Sequence, residues 1–135
     1  MTGSRFGISQ AVRRKEDDAL LRGAGRYVAD LSPAATLQAE VVRSTHAHAQ
    51  FRLRNLERVR AMPGVKLVLT AEDIAELGTL PCQGMPPGPA IAVPPYGVLA
   101  RDTVRHVGDA IAFVVADTSD HAKDAAEAIE IDYTD

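Results

Sequence analysis

His46 and His48 are separated by one alanine, and imidazole side chains are common zinc ligands. On an extended chain, residues two apart point to the same side, so both rings could reach one ion. A zinc site needs a third or fourth ligand, and His106 and His121 are the remaining histidines. No neighbouring carboxylate would orient the rings. The sequence therefore disfavours a metal site at this pair.

Ser44 precedes His46 by two residues, and a serine within reach of a histidine can act as a nucleophile. The sequence around Ser44 has no nucleophile elbow that would supply an oxyanion hole. Cys82 lacks an adjacent base and is predicted to be an ordinary thiol. Gly23 and Gly25 precede a strand instead of joining a strand to a helix, so they do not form a dinucleotide-binding turn. These residues supply no self-sufficient active site.

Five arginines and a single acid, Glu57, lie between residues 43 and 60. Nucleic-acid binding would require aromatic partners or a recognition helix, and Phe51 falls on the apolar face of the predicted strand. We therefore predict no nucleic-acid partner. A domain that did bind RNA or DNA would lose affinity steeply with salt. Residues 1–70 hold twelve basic and six acidic residues, and residues 101–135 hold three basic and nine acidic ones. This asymmetry favours charge compensation or a solvated surface over a basic binding face.

The composition predicts one globular domain of 135 residues, with 46% hydrophobic and 24% charged residues. A single cysteine excludes an internal disulfide and a cysteine-built metal or iron–sulfur site within one chain. The longest uncharged stretch, residues 77–100, contains six of the eight prolines and four glycines, so it predicts no membrane helix. The N-terminus shows no secretory signal, and we expect a cytoplasmic protein.

The pattern of apolar residues predicts strands and short helices in alternation. Period-two alternation predicts half-buried strands at 37–43 and 49–54, and the apolar run 65–69 predicts a central strand. Asn55 is the expected N-cap of a helix over 56–62. Thr70 and Asp73 resemble a capping box before a short helix that ends at Gly78. Asp17 or Asp18 is expected to cap a helical turn over 19–21.

The second half of the chain begins with an irregular Pro/Gly-rich loop at 78–97. Strands are predicted at 104–107 and 110–115, joined by a hairpin or a bulge at Gly108-Asp109. A helix capped by Asp117 or Thr118 should extend to residue 128, followed by a strand at 129–133. We thus predict an α+β domain over 17–135, a small mixed sheet with two to four short helices, preceded by an arm at 1–16. The end in mid-strand leads us to expect a domain cut from a longer protein.

Six stretches in order resemble a known family: RGAGRYVAD at 22–30, VRSTHAHA at 42–49, MPGVKLVLTAED at 62–73, LA at 99–100, VRHVGDAIAFVVA at 104–116 and IDY at 131–133. They are similar to the N-terminal α/β-hammerhead domain of the molybdopterin-binding large subunit of xanthine dehydrogenases, aldehyde oxidases and carbon monoxide dehydrogenases. Ala29 stands where this family often has an acid, and Thr45 where proline is common. Neither position has a catalytic role in the family.

The resemblance implies a segment of a molybdenum-dependent oxidoreductase that hydroxylates aldehydes or N-heterocycles. It implies a molybdenum–pterin cofactor in the full subunit, with [2Fe–2S] clusters and FAD in partner subunits or domains. The family's pterin-contacting segments and base glutamate lie beyond residue 135, so no catalytic, cofactor or metal residue is assigned here. The isolated chain is expected to be inactive.

The expected partners are the remainder of the large subunit and other subunits of the complex, and a homo-oligomer is compatible with the sequence. The arginine-rich stretch from residue 43 to 60 and the two histidines that precede residue 49 lie beside a predicted strand edge. The candidate subunit contacts are therefore Arg43, His46, His48, Arg52 and Arg54. The alternative is a free-standing protein-binding or dimerisation module without redox activity.

Overall fold

The computed structural model describes residues 14–31, 33–81 and 92–134. The predicted arm therefore lies outside the described residues except for residues 14–16, and so do Cys82 and half of the predicted loop. The chain divides into two compact units, Met1–Ala35 and Thr36–Asp135. In the first unit, α1 spans Asp17–Leu21 and a 3₁₀ turn spans Val28–Asp30. The predicted helical turn is confirmed, but its N-cap is Glu16, and Asp17 and Asp18 lie inside the helix.

The second unit contains six strands and two helices among the described residues. They follow the chain as β1 (Gln38–Arg43), β2 (Ala49–Arg54), α2 (Leu56–Arg60), β3 (Val65–Thr70), β4 (Thr103–Val104), β5 (Ala110–Ala116), α3 (Ser119–Glu127) and β6 (Glu130–Thr134). One sheet has the order β1-β5-β3 and the other the order β4-β2-β6. The α+β class is confirmed. The single mixed sheet is wrong, because the strands form two sheets in which all pairs are antiparallel.

Two further strand predictions are wrong in their position. The run at 65–69 does form β3, but β3 is an edge strand, and the centre of its sheet is β5. The strand predicted at 104–107 ends at Val104, and Gly108-Asp109 forms neither a hairpin nor a bulge. Since β4 and β5 belong to different sheets, this segment carries the chain from one sheet to the other.

Asn55 occupies the N-cap position of α2 but does not cap it. Its backbone is left-handed, with φ of 52°, and its side chain reaches another part of the chain. The Nδ2 group donates to the carbonyl of Ala128 at 2.9 Å, and Oδ1 accepts from the amide of Glu130 at 3.2 Å. Asn55 thus ties the start of α2 to the junction between α3 and β6. In α3 the predicted cap is confirmed, as Thr118 Oγ1 accepts from the His121 amide.

Two apolar clusters form the core of this unit. The larger one comprises Val42, Val59, Val68, Ala112, Val114, Ala125 and Ile129, and the smaller one comprises Ala49, Phe51, Val104 and Ile111. Leu53 and Ile131 contact both clusters. The β2–β6 pair therefore contributes side chains to both apolar clusters. No helix among the described residues is long and apolar enough to cross a bilayer.

Asp73 closes the turn after β3 in the way that the capping-box pattern predicts, although the helix that follows is only a 3₁₀ turn, Ala75–Leu77. Its Oδ2 accepts from the Thr70 amide at 2.7 Å and from Thr70 Oγ1 at 2.8 Å. These bonds, the backbone one foremost, hold the pKa of Asp73 below its ordinary value of 3.8, and the charge of Arg60 lowers it further.

Asp73→Asn is expected to be less stable than the wild type at pH 7, by an amount that disappears in acid. A carboxylate whose folded-state pKa is depressed contributes stability above its unfolded pKa, and this contribution is lost as pH falls through the folded pKa. The difference between the two free energies of unfolding, measured with urea, should have its full size above pH 3.8 and should disappear at lower pH. Glu76→Gln in the 3₁₀ turn that follows is the control. A difference for Asp73→Asn that does not vary with pH would contradict the assignment.

Candidate functional site

The β2–β6 pair places Arg52 and Arg54 together on one face of the second sheet. Successive side chains of a strand point to opposite faces, and Phe51 on β2 is buried on the other one. The register sets Arg52 opposite Asp132 and Arg54 opposite Glu130. The alternation that predicted these two arginines on a polar face is therefore confirmed.

The arginines near this face are largely neutralised by acidic residues of the same chain. Arg54 forms an ion pair with Asp132, and Arg58 lies 3.6 Å from Glu130. Both pairs are more than half exposed, so each contributes only about 0–1 kcal/mol. Arg52 makes no ion pair with any residue that the structure describes. It is the cation on this face that is most available to a partner.

His46 lies on the opposite side of the second sheet from the two arginines. Its ring stacks on Tyr133, with centroids 4.0 Å apart and an angle of 22° between the planes. Tyr133 pairs with Phe51 and packs on the smaller apolar cluster, so it faces inward. The Tyr133 hydroxyl is buried without a hydrogen-bond partner among the described residues. His46 therefore covers the edge of a core, while His48 is exposed.

Ser44 is buried and its hydroxyl is used locally. Oγ donates to the His46 carbonyl at 2.8 Å and accepts from the His46 amide at 3.0 Å, so it does not bond the imidazole. The His46 Nδ1 atom lies 3.1 Å from Thr45 Oγ1 instead. This geometry does not form a nucleophile–base pair. Within the described part of the chain, no cluster of three or more His, Cys, Asp or Glu residues could hold a metal ion.

Arg43 lies apart from the other candidates, at the end of β1 in the first sheet. Its Nη1 donates to the carbonyl of Gly108 at 2.9 Å. The five predicted contact residues thus do not form one continuous surface. Arg52 and Arg54 share a face, and His46 lies on the other side of their sheet. Arg43 instead forms a hydrogen bond with the connection between β4 and β5.

Asp109 is a buried carboxylate that the sequence predicts only as part of a turn. Its Oδ2 accepts from the Arg105 amide at 3.0 Å, and its Oδ1 accepts from the Tyr96 hydroxyl at 3.2 Å. Its backbone carbonyl accepts from the Ser44 amide at 2.8 Å. Desolvation raises the pKa of Tyr96, and the Asp109 charge raises it further, which keeps the hydroxyl a donor. The sequence signal that could have indicated this role is an acid directly after a glycine between two apolar runs.

A second unforeseen contact joins the start of α3 to the turn before β3. His121 Nδ1 and Asp117 Oδ1 are 2.6 Å apart, and the hydrogen bond to His121 is the main cause that lowers the pKa of Asp117. The pair lies against Gly64, where an added Cβ would collide with both side chains. Gly64 also has a φ of 78°. Glycine is required there for two independent reasons.

Residues 22–135 match the family model described as "Aldehyde oxidase and xanthine dehydrogenase, a/b hammerhead domain". The chain is 36% identical over 121 residues to the carbon monoxide dehydrogenase large chain of Afipia carboxidovorans, which covers 90% of this chain and 14% of the relative. It is 36% identical over 127 residues to the nicotine 6-hydroxylase large subunit of Paenarthrobacter nicotinovorans, with 93% and 15% covered. It thus spans about one seventh of the length of these relatives.

The same similarity is found among solved structures. Quinoline 2-oxidoreductase from Pseudomonas putida 86 matches with a TM-score of 0.71 and 36% identity, over 92% of this chain and 16% of that one. An aldehyde oxidoreductase from Desulfovibrio gigas matches with a TM-score of 0.69 and 30% identity, over 90% and 14%. The fold of two antiparallel sheets is therefore found within much larger redox enzymes.

Proposed function

This chain belongs to the α/β-hammerhead domain family of aldehyde oxidases and xanthine dehydrogenases, and we propose that it is the N-terminal assembly domain of a molybdenum hydroxylase large subunit. The observation that carries the proposal is the family match over residues 22–135. Hammerhead domains of this kind are parts of molybdenum hydroxylase large subunits. A free-standing binding module is not favoured, because the relatives are large subunits of enzymes.

We propose that the whole subunit oxidises an aldehyde or an N-heterocycle. The supporting relatives act on such compounds by their names, among them the nicotine 6-hydroxylase, the quinoline oxidoreductase and the aldehyde oxidoreductase. Another relative is named the large molybdopterin subunit of nicotinate dehydrogenase. The proposed enzyme is cytoplasmic and works in a complex with further subunits.

The residues of this chain do not fit an iron–sulfur cluster. A [2Fe–2S] cluster is held by four cysteines, or by two cysteines and two histidines in Rieske centres, and the chain has only one cysteine. We therefore derive no redox step through this segment. The proposal places the molybdenum–pterin cofactor in the remainder of the large subunit, and the [2Fe–2S] clusters and FAD in partner subunits or domains. The role left to this chain is to pack against those parts.

The test is to purify the 135-residue chain and, separately, the full-length large subunit with its co-expressed partners. We expect the full complex to contain molybdenum and to reduce a dye in the presence of an aldehyde or N-heterocycle. The 135-residue chain should do neither, because the proposal places the pterin-contacting segments and the base glutamate in the remainder of the large subunit. Elemental analysis and dye reduction decide this. A 135-residue chain with molybdenum and dye-reducing activity would overturn the assembly role, and a full-length complex without molybdenum would overturn the proposed enzyme class.

We propose Arg52 and Arg54 as contacts to another subunit, with Arg52 contributing most. Arg52→Glu is expected to weaken assembly of the complex at least tenfold, since a charge facing a complementary partner becomes repulsive. The melting temperature of the domain should fall only slightly, because Arg52 is exposed, although the new carboxylate lies opposite Asp132 in the strand pair. Gel filtration of the co-expressed subunits and thermal unfolding measure the two effects.

Two further variants sharpen this test. Arg54→Glu should cost assembly less, because Arg54 already pairs with Asp132, and its reversal should lower the melting temperature slightly. Lys123→Glu on α3 is the matched charge-reversal control and should leave assembly unchanged. If Arg52→Glu and Lys123→Glu give the same elution profile as the wild type, the contact proposal for this face is wrong.

A further inference from the structure

Strand β2 is longer than the strand that pairs with it on one side. β4 pairs with Ala49 and Gln50 only, and one more bond runs from the Phe51 amide to the Asp102 carbonyl at 2.9 Å. The chain at Asp102 then leaves the sheet, while β2 continues to Arg54. On its other side β2 stays paired with β6 throughout, from Gln50 to Arg54. The end of β2 therefore has one open edge.

The open edge presents the backbone groups of Leu53. In an antiparallel sheet, alternate residues direct both their N–H and C=O groups to the same neighbouring strand. Phe51 donates towards the β4 side, so the amide and carbonyl of Leu53 point to that side as well. In the described part of the chain, no residue forms a backbone hydrogen bond with Leu53 there. An edge of this kind is a template for pairing with another strand.

A groove of about 510 Å³ lies beside this edge. Its apolar lining comprises Phe51, Leu53, Leu56, Ala71 and Ala100, and the charged residues on it are Arg52, Glu72, Arg101 and Asp102. Two positive and two negative charges balance, so the groove suits a segment without net charge. Strands in a sheet lie about 4.7–4.9 Å apart, and the vacant position next to Leu53 continues the line of β4.

We propose that this groove receives one extended, uncharged segment from the remainder of the large subunit, which adds a strand to β2 at Leu53. The inference rests on the proposed function. The relatives are about seven times as long as the part that this chain matches, so most of such a subunit lies outside this structure. Main-chain hydrogen bonds to an exposed sheet edge are an established mode of segment recognition.

A second copy of this chain fits the edge less well. Pairing two β2 edges around Leu53 would bring Arg52 and Arg54 of both copies together, and like charges opposite each other destabilise a strand pair. A polyanion is not favoured either, since Glu72 and Asp102 line the same groove. A neutral strand with small apolar side chains facing Ala71 and Ala100 would pair with the backbone groups of Leu53 and match the apolar lining of the groove.

The test is residue-resolved amide hydrogen exchange on the full-length subunit in its complex. The Leu53 amide should exchange on the order of a hundredfold more slowly than a free peptide amide, as the Phe51 amide should in the same sample. Exchange of Leu53 at the free-peptide rate, with Phe51 protected, would overturn the proposal. Protection of Leu53 that disappears on dilution would indicate a second copy and would also overturn it. The molybdenum content of the same sample reports on the proposed function separately.

A matched pair of variants shows whether occupation of the groove protects the Leu53 amide. Glu72→Trp fills the groove from its rim and should return the Leu53 amide to fast exchange. Glu76→Trp introduces the same side chain on the next turn, outside the groove, and should leave Leu53 protected. Equal protection of Leu53 in both variants would place the added segment elsewhere.

Discussion

Val114→Asp is expected to abolish the cooperative unfolding transition of the chain. Val114 is fully buried in β5, the central strand of the first sheet, between Glu40 of β1 and Val68 of β3. An aspartate there would lose its hydration without gaining a partner for its charge, which costs several kcal/mol. The total stability of a domain is about 5–15 kcal/mol, so most of it would be lost. Circular dichroism on heating measures the outcome.

Val107→Asp is the matched control for this variant. Val107 is 65% exposed in the connection between the sheets, and the same substitution there should change stability by less than about 0.5 kcal/mol. If Val114→Asp melted within a few degrees of Val107→Asp, β5 would not be the central strand, and the order β1-β5-β3 would be incorrect.

Asp109→Ala is expected to lower the free energy of unfolding by about 2–5 kcal/mol. The substitution removes the buried carboxylate that accepts from the Arg105 amide and the Tyr96 hydroxyl, and a hydrogen bond to a charged group contributes about 1.5–3 kcal/mol. The connection between β4 and β5 would lose the group that closes it. Urea unfolding followed by circular dichroism gives the value.

Tyr96→Phe separates the two bonds, because it removes the hydroxyl donor and leaves the Arg105 amide bonded. It should cost about 0.5–1.5 kcal/mol, the typical contribution of one hydrogen bond. In the Asp109→Ala background the same change should cost less, since the two side chains interact directly. Equal costs in both backgrounds would show that the Tyr96–Asp109 bond does not contribute to stability in solution.

Element type could be predicted from the sequence wherever a period was clear. The alternation at 49–54 predicted β2 and placed Arg52 and Arg54 on its polar face, and the spacing of alanines after Thr118 predicted α3 and its cap. Local signals of this kind depend on residues within a few positions of each other, so a single sequence carries them. The family resemblance, which rested on six such segments in order, is also confirmed.

Strand partners could not be predicted in the same way. Val65–Thr70 is apolar enough for a central strand, yet it lies at an edge, since β1 and β3 both pair with β5. Gly108-Asp109 has the composition of a tight turn between adjacent strands, yet the strands on either side enter different sheets. Pairing depends on contacts between residues far apart in the chain, and neighbouring residues do not encode them.

The candidate contact residues show the same difference between local signals and long-range contacts. The sequence alone determined the α+β class, the family, the polar face of β2 and the lack of a cysteine set for an iron–sulfur cluster. Only the tertiary structure decided that His46 covers Tyr133, that Asn55 binds the α3–β6 junction, that Asp109 is buried, and that β2 has an open edge at Leu53. The physical reason is that side-chain type and spacing are local properties, whereas burial and strand pairing arise only when distant segments meet.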